Sequence, residues 1–196
     1  SQTPRQVVEA ISDYYYRYNA NIHRGVHKLS QEATDAYEKA RATIQKHFNA
    51  AHTHEIIFTA GTTESINCIA SGYTSILKKG DELLISALEH HSNIVPWQML
   101  CKKTGAHLKV IPMTTQGTLD METFDSLLNS KTKLVFVGHV SNALGTINPI
   151  KEIIQKAHLK GAKVLIDGAQ ASPHIKADVQ ALDVDCLLYT SDAADE

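Results

Sequence analysis

The stretch KVLIDGAQASPH, residues 163–174, ends a short apolar run with an ionisable side chain. Val164, Leu165 and Ile166 are continuously apolar, which is typical of a strand buried on both faces of a parallel sheet. Asp167 follows directly, and burying an unpaired carboxylate is energetically unfavourable. The pattern therefore predicts a buried strand whose carboxylate meets either N–H groups of the next turn or a cationic atom of a ligand.

Apolar segments of the same kind alternate with helix-like segments along the chain. This alternation implies right-handed βαβ units. It predicts an α/β fold with a mostly parallel, doubly wound sheet and flanking helices. The predicted strands are 55–59, 81–86, 108–111, 133–137 and 163–166, and the predicted helices are 31–48, 62–73, 93–104, 120–128 and 148–161.

The composition excludes several classes of protein. The chain of 196 residues has a net charge of −2 and a hydrophobic content of 43%, so it lacks the basic surface of nucleic-acid-binding or membrane-surface proteins. Its three cysteines form no CxxC pair, which favours a reducing cytoplasm over a disulfide framework. The histidines form no HExxH motif, and we expect no metal site.

Polar residues follow the predicted strands, and ligands of doubly wound sheets bind beyond the carboxyl ends of the strands. Thr62 and Thr63 open a helix after a glycine, where they form either an anion site or an ordinary helix cap. Two adjacent histidines follow the second strand, and a histidine there is more often structural than functional. We expect the side chains of His90 and His91 to point in different directions, so that at most one faces a site.

Asp167 is the most specific of these candidates. Gly168 and Ala169 are small, and we expect them to leave room for a flat ring. A carboxylate beside a protonated pyridine nitrogen is typical of enzymes that use pyridoxal 5′-phosphate. Such a pair keeps the ring an electron sink for a substrate carbanion.

Five segments carry a resemblance to a known family. The chain resembles the class V, fold-type I pyridoxal phosphate enzymes, and within them the SufS type of cysteine desulfurase, from about Gln2 to Asp185. Two of the segments, EHHSNIVPWQ and HVSNALGTINP, favour this type over the NifS/IscS type and kynureninases. The five segments are HRGVHKLSQEAT, FTAGTTESIN, ALEHHSNIVPWQMLC, HVSNALGTINP and VLIDGAQASPH.

The resemblance implies a role for each candidate residue. Thr62 and Thr63 help to bind the cofactor phosphate, and His90 stacks on the pyridine ring and relays protons. Asp167 pairs with the ring nitrogen, and Gln170 hydrogen-bonds the phenolic oxygen of the ring. Further substrate contacts are implied for Asn142, near that oxygen and the substrate carboxylate, and for His23 and Arg24, near the mouth of the site.

The resemblance also implies a reaction and partners. The implied enzyme is a homodimer that converts L-cysteine to L-alanine and an enzyme persulfide. The sulfur then passes to an acceptor protein for iron–sulfur cluster assembly. Three alternatives stay open: a selenocysteine lyase or other class V enzyme acting on L-selenocysteine or a related substrate, a non-catalytic anion-binding α/β module, and a truncated partner protein.

The chain departs from the family pattern near its end. The resemblance implies a Ser-Gly-His-Lys stretch, whose lysine binds the cofactor, and a later nucleophilic cysteine and arginine, and none of these occurs here. Residues 186–196 resemble the translation of a sequencing adapter. We therefore expect an N-terminal helix and active-site loop in 1–30, a partial pyridoxal-phosphate-binding large domain in 31–185 and a non-native tail in 186–196. The isolated chain is expected to be inactive.

Overall fold

The structure, a computed structural model, describes residues 3–189, and the chain divides into two compact units, Ser1–Ile57 and Phe58–Glu196. The sequence instead predicted a division after residue 30. The difference arises because the helix that follows residue 30 is bonded to the segment before it. Ser30 Oγ donates to the carbonyl of Asn21 at 2.7 Å, and the His23 N–H donates to Thr34 Oγ1 at 3.1 Å.

The first unit is helical. It contains α1 (Arg5–Asp13), a short π-helix (Tyr14–Tyr18), α2 (Lys28–His47) and a 3₁₀ turn (Thr53–Glu55). Helix α2 begins before the predicted start because the ring of His27 accepts a hydrogen bond from the Ser30 N–H at 3.3 Å. The histidine thus occupies the cap position of α2.

The predicted strand 55–59 is wrong. Residues 56–60 form no part of the described sheet, and Ile57 is 77% exposed. Its apolar run matched the pattern of a buried strand, but a strand also needs a neighbour in register.

The second unit alternates helices and strands as the sequence predicted. Its elements are α3 (Thr62–Tyr73), β1 (Glu82–Ser86), α4 (Val95–Thr104), β2 (His107–Ile111), α5 (Met121–Leu127), β3 (Thr132–Gly138), α6 (Ile150–Leu159), β4 (Lys163–Asp167), α7 (Val179–Leu182) and β5 (Cys186–Leu188). Within residues 3–189, no helix is both long enough and apolar enough to cross a membrane.

Within the described residues, the strands form one five-stranded parallel sheet in the order β2-β1-β3-β4-β5. The chain leaves β1 toward one edge and returns to β3 on its other side. This reversal creates a topological switch point between the carboxyl ends of β1 and β3, where doubly wound sheets bind ligands. The predicted fold class is confirmed.

Both faces of the sheet are buried, which explains the continuous apolar runs. Leu84 and Ile166 belong to one core with residues of α5 and α6. Leu83 and Leu165 belong to a second core on the opposite face, with residues of α3 and α4. Because successive side chains of a strand point to opposite faces, apolar neighbours in the sequence fill different cores.

The sheet does not end at residue 185, where the sequence predicted the native chain to stop. Cys186–Leu188 forms β5, and its register with β4 pairs Asp167 with Leu188. The Gly168 N–H then donates to the carbonyl of Leu188 at 2.8 Å. The described sheet thus continues through the first residues of the assigned tail, residues 190–196 lie outside the described residues, and the predicted boundary at residue 185 stays a prediction.

Gly168 is small for a different reason from the one the sequence suggested. A Cβ atom there would lie 2.8 Å from the Leu188 carbonyl oxygen and 2.9 Å from Leu187 Cδ1. The missing side chain therefore makes room for β5, and the expectation that it makes room for a ring is corrected.

We predict that Gly168→Ala lowers the free energy of unfolding by about 1–3 kcal/mol, because the backbone of β5 must shift. Urea unfolding followed by circular dichroism would measure it. Gly72→Ala is the matched control, since a Cβ there meets nothing within 4 Å and lies in α3. Equal stability of the two alanine variants would contradict this explanation of Gly168.

Candidate active site

A cavity of about 70 Å³ lies at the carboxyl ends of the central strands. It coincides with the switch point of the sheet, because three segments line it, one after each of β1, β3 and β4. Four of the predicted site residues meet there. The lining residues are Leu88, Glu89, His90, Ser92, Gly138, Val140, Asn142, Asp167, Ala169 and Gln170.

Asp167 is half-buried at the end of β4 and lines this cavity. Its Oδ1 accepts a hydrogen bond from the Ala169 N–H at 2.9 Å, so a turn N–H does meet the carboxylate, as one of the two sequence-based hypotheses proposed. Its carbonyl accepts from the His139 N–H at 2.8 Å, which ties β4 to the segment after β3. Side chain and backbone of Asp167 are thus held in place at the edge of the cavity.

His90 lines the cavity, and its ring is oriented by Ser92. The Ser92 N–H donates to Nδ1 at 3.4 Å, and Ser92 Oγ lies 2.8 Å from the same atom. Because a backbone N–H can only donate, Nδ1 is an acceptor, and the proton of the neutral ring is on Nε2. The rings of His90 and His91 lie 4.1 Å apart, so the expectation that they point in different directions is wrong, although only His90 lines the cavity.

Glu89 is a site residue to which the sequence assigned no role. Its Oε1 accepts from the Gly138 N–H at 2.8 Å and from the Ser86 hydroxyl, and its Oε2 accepts from Asn93 Nδ2 at 2.7 Å. Burial raises the pKa of this carboxyl from 4.5 to about 7, the three donors oppose the rise, and the charge of Asp167 adds to it. Two acidic residues therefore line the cavity, and the carboxyl group of Glu89 titrates near neutral pH.

Gln170 and Asn142 also line the cavity, Gln170 half-buried and Asn142 exposed at its rim. Thr62 and Thr63 do not line it. They are the first two residues of α3, which packs against the turn His91–Asn93. Gly61, and not Thr62, occupies the cap position of that helix, so the simple capping alternative for Thr62 is wrong.

His23 and Arg24 belong to the first unit, and neither is among the residues that line the described cavity. His23 has a positive φ of 57°, its Nε2 lies 3.2 Å from Glu38 Oε1, and its ring contacts Tyr37 edge to face. Arg24 is exposed and lines a separate surface cavity formed by residues 19–29. Their substrate-binding roles stay predictions.

None of the cysteines is among the residues that line the described cavity. Cys101 is buried, whereas Cys68 is exposed. Burial raises the pKa of Cys186 to about 11, which keeps this thiol protonated. Within residues 3–189, no group of three or more His, Cys, Asp or Glu side chains is arranged to hold a metal ion.

The site residues that the sequence identified differ from the one it missed in how local their signal is. Asp167 and His90 stand out because a polar side chain directly follows an apolar strand or lies in a polar doublet. Glu89 directly precedes that doublet and so lies in the same polar segment. Its role depends on a hydrogen bond from Gly138, which is 49 residues away in the chain. The spacing of residues in the sequence cannot predict contacts between segments so far apart in the chain.

The chain is similar to known proteins. The family described as "Aminotransferase class-V" matches residues 1–192. The chain is 50% identical over 97% of its length to a cysteine desulfurase of Synechococcus elongatus, and 48% identical over 97% to a cysteine desulfurase of Escherichia coli. It covers 30% and 47% of those two proteins, respectively.

A solved structure is also similar. The apo structure of a cysteine desulfurase from Thermococcus onnurineus NA1 matches with a TM-score of 0.91 and 42% identity, over 97% of this chain and 47% of that one. The chain thus spans about half the length of this protein and of the Escherichia coli relative, and less of the Synechococcus one.

Proposed function

This chain belongs to the aminotransferase class V family, and we propose that it carries the cofactor-binding part of a cysteine desulfurase that uses pyridoxal 5′-phosphate. One observation carries the proposal: the cavity at the switch point of the sheet gathers His90, Asn142, Asp167 and Gln170. The sequence selected these four side chains from separate motifs. Cysteine desulfurases among the relatives support the same activity.

The residues present fit this cofactor. Two acidic residues, Glu89 and Asp167, line the cavity, and no lysine or arginine is among its described lining residues. This excess of acidic residues favours a ligand that carries a positively charged atom, such as the nitrogen of a protonated pyridine ring. The amide of Gln170 and the imidazole of His90 supply further polar contacts at the same edge. Thr62 and Thr63, at the start of α3, are proposed to bind the phosphate.

Each residue of the chain would perform a limited task. When bound, pyridoxal phosphate supplies an electron sink for the bonds at the α-carbon of an amino acid. Asp167, fixed by the Ala169 N–H, would hold a proton on the ring nitrogen. His90, whose Nδ1 is occupied by Ser92, would donate or accept a proton at Nε2. Gln170 would orient the ring by a hydrogen bond to its phenolic oxygen, and Asn142 would contact the substrate near the rim.

The finer assignments belong to the same proposal. The motifs EHHSNIVPWQ and HVSNALGTINP support the SufS type, and with it a cytoplasmic homodimer that passes sulfur to an acceptor protein for iron–sulfur cluster assembly. His23 and Arg24 are also proposed to contact the substrate.

We predict that a full-length enzyme, meaning a polypeptide that carries this sequence and spans the length of the relatives, forms alanine from L-cysteine when loaded with pyridoxal phosphate. Chromatography of the amino acid products would measure alanine, with L-selenocysteine tested in parallel. Preference for L-selenocysteine would favour the lyase. Cofactor uptake without alanine from either substrate would indicate another class V reaction, and absence of uptake would favour the binding module.

A further inference from the structure

The Glu89 carboxyl is bonded on both oxygens, and every partner donates. The Ser86 hydroxyl accepts from the Leu88 N–H at 3.2 Å, so its own proton is directed to Glu89. The Gly138 N–H can only donate, and it does so at 2.8 Å. The residue as a whole is partly exposed, but its carboxyl group lies deep among protein atoms. These contacts require an acceptor, which an ionised carboxylate provides on both oxygens.

The third donor has its orientation fixed by the core. Trp97 Nε1 donates to Asn93 Oδ1 at 2.8 Å, and an indole nitrogen can only donate. Asn93 must therefore present its amide nitrogen to Glu89, as it does at 2.7 Å. Asn93 and Trp97 are both fully buried, and Trp97 stacks on Phe136 of β3 with ring centroids 3.7 Å apart. The amide has no freedom to turn around.

These bonds connect the segments that carry the proposed cofactor residues. Glu89 joins the end of β1 to the end of β3 through Gly138, and Gly138 is the register partner of Asp167 on β4. His90 is the next residue in the chain. The carboxylate thus lies where it can fix the separation between His90 and Asp167 across the switch point.

We propose that Glu89 is a positioning residue of the cofactor site, whose carboxylate holds the strand ends that carry His90 and Asp167 in their ligand-binding arrangement. The inference rests on the proposed function, because it assigns a role within that same site. In its ionised form Glu89 satisfies all three donors. Protonation removes the negative charge that strengthens these three hydrogen bonds, and loosens the arrangement.

The groups that surround this carboxyl define how pH should act on it. Asp167 faces it from β4 and raises its pKa, and His90 is adjacent in the same turn, with His91 against it. The contacts from β1, β3 and the turn before α4 are Ser86, Gly138 and Asn93, which do not titrate in this range. Affinity for the cofactor ring should therefore rise as the pH passes from about 6 to 8 and Glu89 ionises.

The test uses the 196-residue chain and pyridoxine 5′-phosphate, which lacks the aldehyde that would react with surface lysines. Equilibrium dialysis at several pH values gives the Kd. Glu89→Gln is expected to weaken binding about tenfold at pH 8, as for loss of one charged hydrogen bond, and to remove the rise in affinity between pH 6 and 8. The matched control is Glu82→Gln, at the other end of β1, where the carboxylate bonds Lys109 and Asn129. It should stay within about twofold of the parent.

A second variant covers the case in which Glu89→Gln does not fold. Ser86→Ala removes one donor, and loss of that donor raises the pKa of Glu89, so the pH profile of binding should move to higher pH. Glu89→Gln with parental affinity and profile, or Ser86→Ala with an unmoved profile, would overturn the inference and leave the proposed cofactor site intact. Failure of the parent chain to bind the probe would overturn both.

Discussion

Asp167→Ala in the full-length enzyme is expected to lower the rate of alanine formation from L-cysteine by roughly 100-fold or more. The carboxylate lines the cavity and is held there by the Ala169 N–H at 2.9 Å. Without it, the ring nitrogen of the proposed cofactor loses the charge that favours its protonation. The ring then becomes a weaker electron sink, while the sheet that carries residue 167 remains folded.

The fold should change much less than the activity. Asp167 is half-buried at a strand end, and losing its bond to the Ala169 N–H should lower the free energy of unfolding by about 1 kcal/mol. The matched control is Asp178→Ala, because Asp178 Oδ1 accepts from the Ala181 N–H at the same 2.9 Å but caps α7 away from the cavity lining. Product analysis and thermal unfolding should be measured on both variants. Parental turnover in Asp167→Ala would disprove the role given to this carboxylate.

The second large expected effect is a pH-dependent loss of stability caused by Glu89. Its pKa is about 7 in the folded protein and near 4.5 when unfolded. A raised acid pKa means that the folded state binds the proton more tightly. The favourable contribution is complete below about pH 4.5 and is lost as the pH rises through 7.

A difference of one in pKa between the folded and unfolded states corresponds to about 1.4 kcal/mol. The parent should therefore lose on the order of 3 kcal/mol of unfolding free energy relative to Glu89→Gln between pH 4.5 and 8. Urea unfolding of both proteins at several pH values would measure the difference, and groups common to both cancel. A difference that does not vary with pH would contradict the buried, titrating carboxyl. A residue that weakens the fold at pH 8 while strengthening ligand binding follows the usual opposition between stability and function.

The sequence predicted the parallel sheet because burial on both faces requires strands that are apolar at every position. Runs such as Leu83–Ile85 and Val164–Ile166 are apolar at every position, and both lie in strands. The same signal failed at Ile57, because an apolar run reports burial propensity and not the presence of a neighbouring strand. The ends of the other four predicted strands were placed within one residue, because each apolar run stops close to where its strand ends.

The site was predicted only as far as local patterns reach. Asp167 and His90 were found because polarity changes abruptly at a strand end. The size of Gly168 was noticed but misinterpreted, since the atoms that fill its space belong to Leu187 and Leu188, 19 or more residues later. Glu89 acquires its properties from Gly138 and Trp97, and only the folded arrangement of β1, β3 and α4 brings these groups together.

The central claim is that the switch-point cavity binds a pyridine ring with its nitrogen proton held by Asp167. The most direct measurement is the ¹⁵N chemical shift of ring-labelled pyridoxine 5′-phosphate bound to the chain, followed from pH 7 to 10. We predict that the bound nitrogen keeps its proton to a higher pH than the free ligand does, and that Asp167→Ala removes this difference. A bound nitrogen that loses its proton at the same pH as the free ligand, or at a lower one, would contradict the account.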